Sequence, residues 1–326
     1  MKFHLPVRPL QIPLPSALWL ALVMNSTAAA TLPVADVDMS LNQVSEHVYY
    51  VQGLPGVATD NQGFISNASA VVTGEGVVVV DALGTPSLAA LFLEKLKSVT
   101  DQPVVKVIVT HYHADHIYGM QVFKDLGATI IAPEGAMDYL GSPAAVERLE
   151  ERRSSLDPWV NDKTRLVPPD EIIDRSTSFT LGDVEIDVDY LGKAHSDGDL
   201  SVLVKPDNVL ISGDIIFEGR VPFTGGADTA HWLELLDKLN RTDLTALVPG
   251  HGAAAKDPDA AVALTRYYLR EVRSVMKTAV DEMIPFDEAY DAADWSAFED
   301  LPAFDATHRR NAYGVYLSME QELLSQ

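Results

Sequence analysis

The six residues His111-Tyr112-His113-Ala114-Asp115-His116 constrain this chain more than any other stretch. They follow an apolar, β-branched run from Val104 to Thr110 and precede a helix-like run from Ile117 to Leu126. The pattern predicts a loop at the carboxyl end of a buried strand, where α/β proteins put their chemistry. Three imidazoles and a carboxylate within six positions cannot share one face of a helix or strand. A tight loop can aim them in two directions, toward two ions. Imidazole nitrogen and carboxylate oxygen are the donors zinc takes when one position stays open to water.

Three later residues fit the same chemistry. His195 lies between two strand-like runs, in Ala-His-Ser-Asp-Gly-Asp. Asp214 follows the run Val209 to Ser212, in Ser-Gly-Asp, and His251 follows Ala246 to Val248, in Pro-Gly-His-Gly. Glycines beside Asp214 and His251 let the backbone turn sharply and approach a crowded centre. A lone loop histidine is weak evidence; several such groups, each at a strand end, form a joint signal.

The rest of the chain predicts where these strand ends meet. Val48 to Val51 begins a strand, and Gly53 to Gly63 is a loop rich in glycine, proline and aspartate. Ala68 to Thr73 and Val77 to Asp81 form a hairpin around Gly-Glu-Gly. The second strand is apolar on both faces, so it is a central strand covered on both sides. Asp81 ends it, either as a hydrogen-bond acceptor behind the histidine loop or as a turn former. Ser87 to Ser98 predicts an amphipathic helix and Thr129 to Ala132 the next strand. This β-α-β order places helices outside a sheet. Gly141 to Pro169 is strongly charged and predicts a solvated helix plus loop, an insertion near the site mouth or a plain connection. Short strands return at Phe179 to Leu181, Val184 to Tyr190, Leu200 to Val204 and Val209 to Ser212. Residues 258–326 read as helical, with core-facing stripes.

Composition narrows the partners. A formal charge of -23 opposes nucleic acid, whose phosphates would be repelled. With no cysteine, disulfides and thiolate ligands are excluded. At the amino terminus Lys2 and Arg8 precede a short apolar core, Ala17 to Met24, and Ser26 to Ala30 ends in an Ala-x-Ala pattern. That is a secretory signal, too short to anchor stably in a bilayer, so the chain is expected to be exported and periplasmic. The expected organisation is a signal peptide at 1–30, a linker at 31–45, a catalytic domain at 46–256, and a helical extension at 257–326 packed on the same domain. No other apolar run is long enough to span a membrane, and the expected partner is a small-molecule substrate. Residues beside the candidate donors, among them Tyr112, Tyr118, Phe217, Arg220 and Phe223, are candidates for substrate contact. Arg220 would pair with a substrate carboxylate or form a structural ion pair. His231 and His308 lack supporting spacing and read as surface or core residues.

Together, Asp81, His111 to His116, His195, Asp214 and His251 resemble the metallo-β-lactamase-fold hydrolase superfamily. Within it, Ala-His-Ser-Asp-Gly-Asp-Leu, the Gly-Asp-Ile-Ile-Phe segment and Asp-Ala-Ala-Asp-Trp-Ser resemble the SoxH-like, quinoprotein-relay-type exported metallohydrolases. The resemblance implies an α/β fold, a four-layer αβ/βα sandwich with metals at one edge between the two sheets. It implies two zinc ions: His111, His113 and His195 on one, Asp115, His116 and His251 on the other, and Asp214 bridging. It further implies a metal-bridging hydroxide that hydrolyses an ester, thioester, lactone or lactam, with Asp115 orienting it. An aspartate at position 214 is what glyoxalase II-like, lactonase and phosphodiesterase members use, whereas broad-spectrum β-lactamases carry cysteine or a non-bridging residue there. Two alternatives stay open: a mononuclear-iron persulfide dioxygenase-like enzyme, and a non-catalytic metal-binding accessory protein.

Overall fold

The computed structural model describes Met1 and residues 32–239 and 243–324. The expected signal peptide otherwise lies outside the described residues. From Leu32 onward the chain forms one compact unit.

Two sheets form its centre. The first has seven strands in chain order: β1 (Leu41–Gln43), β2 (Val48–Val51), β3 (Ala68–Thr73), β4 (Gly76–Val80), β5 (Val104–Ile108), β6 (Thr129–Pro133) and β7 (Glu171–Ile173). The second has five: β8 (Thr177–Leu181), β9 (Val184–Gly192), β10 (Asp199–Val204), β11 (Val209–Phe217) and β12 (Ala246–His251), again adjacent in sequence order. Period-2 alternation builds the layers. On β4, Val77 and Val79 join the cluster under the helices α1 (Pro86–Leu96) and α3 (Met120–Asp125). Val78 and Val80 face the other way, into a core shared with Val188, Val202 and Val248 of the second sheet. The outer face of the second sheet is covered by α6 (Thr229–Lys238), α7 (Pro258–Asp281) and α9 (Phe304–Leu324), through Trp232, Tyr268, Val272 and Val315. Helix, sheet, sheet, helix is the four-layer sandwich expected.

Local sequence chemistry sets several boundaries. Thr85 caps α1, its side chain accepting from the Leu88 amide, with Pro86 at the first helical position. The run after the histidine loop is not one helix but two, α2 (Ala114–Ile117) and α3. Gly119 separates them, and a Cβ there would lie 1.9 Å from the Ala82 carbonyl oxygen, so the close approach requires glycine. The charged insertion forms α4 (Gly135–Leu140) and α5 (Pro143–Ser155). The carboxyl-terminal helices are α7, α8 (Phe286–Ala292) and α9.

Three expectations need correction. The linker at 31–45 contains β1, which pairs with β2. β7 was not anticipated; three residues with Ile172 and Ile173 carry too little pattern to reveal a strand. Asp214 and His251 lie within strands rather than after them, because β11 continues to Phe217 and β12 to His251. The β11–β12 register shifts on both sides of Gly213, and that irregularity lets Asp214 turn inward from a strand.

Candidate metal centre

The seven donors arrive from both sheets. The loop after β5 and the first turn of α2 carry His111, His113, Asp115 and His116. The β9–β10 connection carries His195, and β11 and β12 carry Asp214 and His251. Donor atoms of His111, His113, His195 and Asp214 lie within 4.8 Å of one another, as do those of Asp115, His116 and His251. Asp214 is a member of the first group and also reaches the second: Oδ1 is 3.3 Å from His116 Nε2, and Oδ2 is 3.3 Å from His195 Nε2 and 3.3 Å from His251 Nε2. Its position requires Gly250, where a Cβ would lie 1.9 Å from Asp214 Oδ1.

Outer hydrogen bonds fix which nitrogen points inward. Asp81 Oδ2 accepts from His116 Nδ1 at 2.9 Å, leaving the Nε2 lone pair aimed at the centre. Thr110 donates its hydroxyl proton to the same Asp81 oxygen at 2.8 Å, so its own oxygen accepts from His111 Nδ1 at 3.0 Å. One carboxylate thus orients two imidazoles, the second through a hydroxyl relay. Of the two roles considered for Asp81, the structure selects the acceptor, and its φ of 63° places it in the left-handed region. His251 Nδ1 donates to the Ile65 carbonyl at 2.7 Å, again leaving Nε2 inward. Asp199 closes the loop bearing His195 by accepting from the Ala194 and Ser196 amides at 3.1 and 2.9 Å.

Burial and mutual charge shift the donors in opposite directions. Burial holds His111 well below its ordinary range, and His116 adds to the effect. Burial also lowers His113, and lowers His195 to about 3. Burial opposes charge on His116 and His251 too, but Asp214 overrides it and raises both. Asp214 and Asp115 are held below the usual carboxylate range despite burial, chiefly by His251 and His116. His111 Nε2, His116 Nε2 and Asp214 Oδ1 are buried with no hydrogen-bond partner. Buried polar atoms are ordinarily satisfied, so three orphans facing one point fit a metal ion as the missing partner.

A cavity of about 190 Å³ opens over the cluster, with His113, Asp115, Asp214 and His251 in its lining. Arg220 and Phe223, two of the candidates for substrate contact, also line it. Phe217 is 1% exposed and stacks on His251, ring centroids 5.2 Å apart and planes at 6°, so it mainly backs an imidazole. The expected substrate contact of Tyr118 is corrected: its ring is buried, it lies outside this lining, and burial beside Tyr139 raises its pKa. Tyr112 is likewise buried, donating its hydroxyl to the Val167 carbonyl at 3.0 Å.

Sequence reasoning missed several contributors. Arg148 and Arg152 of α5, and Arg310 of α9, line the same cavity. The spacing of Arg148 and Arg152, four apart on one helical face, was the available signal. Asn67 donates from Nδ2 to the carbonyls of Pro249 and Gly252 at 2.7 and 2.9 Å, bracketing His251 from the other sheet. No local pattern marks such a residue.

A family profile described as "Metallo-beta-lactamase superfamily" matches residues 61–251. A "Metallo-beta-lactamase type 2" of Elizabethkingia meningoseptica is 26% identical over 193 residues, 58% of this chain and 69% of that protein. A "Linear primary-alkylsulfatase" of Pseudomonas sp. is 25% identical over 212 residues, 55% of this chain and 40% of that protein. Among solved structures, a stereoselective inverting sec-alkylsulfatase from Pseudomonas sp. superposes with a TM-score of 0.65 at 19% identity, covering 86% of this chain and 50% of that one.

Proposed function

Because this chain belongs to the metallo-beta-lactamase superfamily, we propose that it is a dinuclear zinc hydrolase of a small-molecule ester, thioester, lactone or lactam. The observation that carries the reading is the placement of Asp214 between two donor groups, within 3.3 Å of His116, His195 and His251. His111, His113 and His195 would hold one cation, Asp115, His116 and His251 the other, and Asp214 both. When bound, such a pair supplies a Lewis acid and a water whose pKa falls from roughly 15.7 toward ~7. The chain's own residues do the rest. Asp81, Thr110 and the Ile65 carbonyl present three imidazoles as neutral donors. Asp115, 21% exposed at the cavity, orients the attacking water by accepting its hydrogen bond. Phe217 and Phe223 give the site apolar walls that limit competing water.

A second, complete donor group beside the first supports a two-ion centre over the mononuclear-iron alternative. The reading extends to export: the amino-terminal pattern supports secretion to the periplasm, and among the described residues no helix is long and apolar enough to cross a membrane. The test is metal quantification on the purified mature chain beside a panel of esters, thioesters, lactones, lactams and alkyl sulfates. Two zinc ions per chain with turnover of one class is the expected result. A single iron, or no turnover at full zinc loading, would overturn the assignment. Amino-terminal sequencing of the periplasmic fraction, expected to begin after Ala30, checks export.

A further inference from the structure

Four arginines from three separate elements converge on the cavity over the metal centre: Arg148 and Arg152 from α5, Arg220 after β11, and Arg310 from α9. This concentration occurs in a chain of formal charge -23. Arg148 and Arg152 share one carboxylate, Glu151, at 3.1 and 3.6 Å. Arg310 lies over the Phe223 ring, 5.1 Å from its centroid, and makes no ion pair among the described residues.

Arg220 is the informative member. Its Nη1 is 3.2 Å from His251 Nδ1. That nitrogen already donates its proton to the Ile65 carbonyl at 2.7 Å, so it offers Arg220 no lone pair. Arg220 Nε is buried without a partner. A guanidinium has five donors and no acceptor capacity, so it must find acceptors or leave donors unsatisfied at a cost. Asp214 and Asp115 attract it through space, but two divalent cations would more than neutralise them. Among the described residues Arg220 forms no ion pair of the kind considered from the sequence, and what fits the gap is an acceptor on an incoming molecule.

We propose that the substrate carries an oxyanion (carboxylate, sulfate or phosphate), which Arg220 binds on the His251 side of the metal centre while Arg310 and the α5 arginines draw it in. The apolar part of the molecule lies against Val57, Ile65 and Phe223, which line the same cavity. An aliphatic or aromatic body with one anionic group is the class these walls fit. This deepens the hydrolase reading and rests on it.

The test uses the zinc-loaded full mature chain and a matched pair, p-nitrophenyl valerate and mono-p-nitrophenyl glutarate, with p-nitrophenyl sulfate as a third substrate. The glutarate tests an anion remote from the cleaved bond, and the sulfate an anion at it. For the favoured anion, kcat/KM should exceed that of the neutral ester by about tenfold or more, mostly through KM. Arg220→Gln should bring that ratio toward one, Arg220→Lys should restore part of it, and added salt should shrink it. Should Arg220→Gln fold poorly, Arg310→Gln, at an exposed position of α9, reads the same ratio, with a smaller drop. An anion preference that survives both substitutions, or a preference for the neutral ester, overturns the proposal. Absence of all turnover at full zinc loading sinks the hydrolase reading instead. Anion binding is then read directly: hexyl sulfate, compared with hexanol, should raise the Tm of the native chain more than that of Arg220→Gln. Equal shifts would overturn it.

Discussion

Asp81 and His116 are joined by a 2.9 Å hydrogen bond between Oδ2 and Nδ1, and the same oxygen holds the Thr110 hydroxyl that orients His111. A single carboxylate outside the donor set thus sets the tautomer of two candidate ligands, one in each donor group. Removing it frees both rings. Asp81→Ala is expected to weaken zinc binding by about 10–100-fold while leaving all seven donors in place. Titration against a competing chelator checks this, and an affinity equal to the native chain's would show that the relay orients nothing.

Asp214 and His116 should behave as members of one unit. Asp214→Ala or His116→Ala is expected to remove metal and activity together, because each leaves the remaining donors around an unbalanced charge. Zinc stoichiometry by elemental analysis, measured beside activity, decides it. Native activity at unchanged stoichiometry in either variant would refute the assignment.

Gly250→Ala tests the packing behind the site. The added methyl would meet Asp214 Oδ1 at 1.9 Å, so the strand or the carboxylate must move. A destabilisation of about 1–3 kcal/mol is expected, with weaker zinc binding. Thermal melts with and without added zinc separate the two effects, and a native Tm in both would contradict the geometry.

His308 sets an acid limit on stability away from the metal centre. It is buried among Tyr268, Phe304 and Trp295, and burial lowers its pKa to about 4. Asn311 donates to the Tyr268 hydroxyl at 2.9 Å, so Tyr268 donates to His308 Nδ1, which suits a neutral ring. Since the folded pKa lies below the unfolded value near ~6.5, its stabilising effect is fully present above that pH and is lost as pH falls toward 4. The loss is about 3 kcal/mol at most. His308→Asn should flatten this part of the Tm–pH profile. An unchanged slope between pH 6.5 and 4 would assign the acid sensitivity to other groups.

Metal removal should also destabilise the whole fold. The donors converge only in the native arrangement, so bound zinc stabilises by mass action. Chelation should lower Tm and zinc should restore it; a Tm indifferent to both would contradict a buried two-ion centre.

How much of this was legible in the sequence varies by residue. The dense motif from His111 to His116 revealed itself because its ligand types are rare at that spacing. His195, Asp214 and His251 were readable only jointly: glycines flank Asp214 and His251, but His195 stands between Ala194 and Ser196 and carries no local mark of its own. The β4 run, apolar on both faces, marked a central strand covered on both sides, whereas the four-layer sandwich came from the family resemblance. Less was visible where a role depends on contacts across the sheets. Tyr118 sits near the motif in sequence yet is buried in the core beneath the first sheet's helices. Arg310 reaches the cavity from some 200 residues downstream of the motif, and only the packing of α9 brings it there. Asn67 is an ordinary asparagine until β12 is laid beside it.

The division of donors between the sheets has a temporal consequence. His111, His113, Asp115 and His116 come from the first, and His195, Asp214 and His251 from the second. Neither half holds either donor group complete, so the proposed ions would be captured only once the two halves have docked. Uptake of metal would then report the last stage of maturation, and a chain stalled before docking would leave the cellular zinc pool untouched.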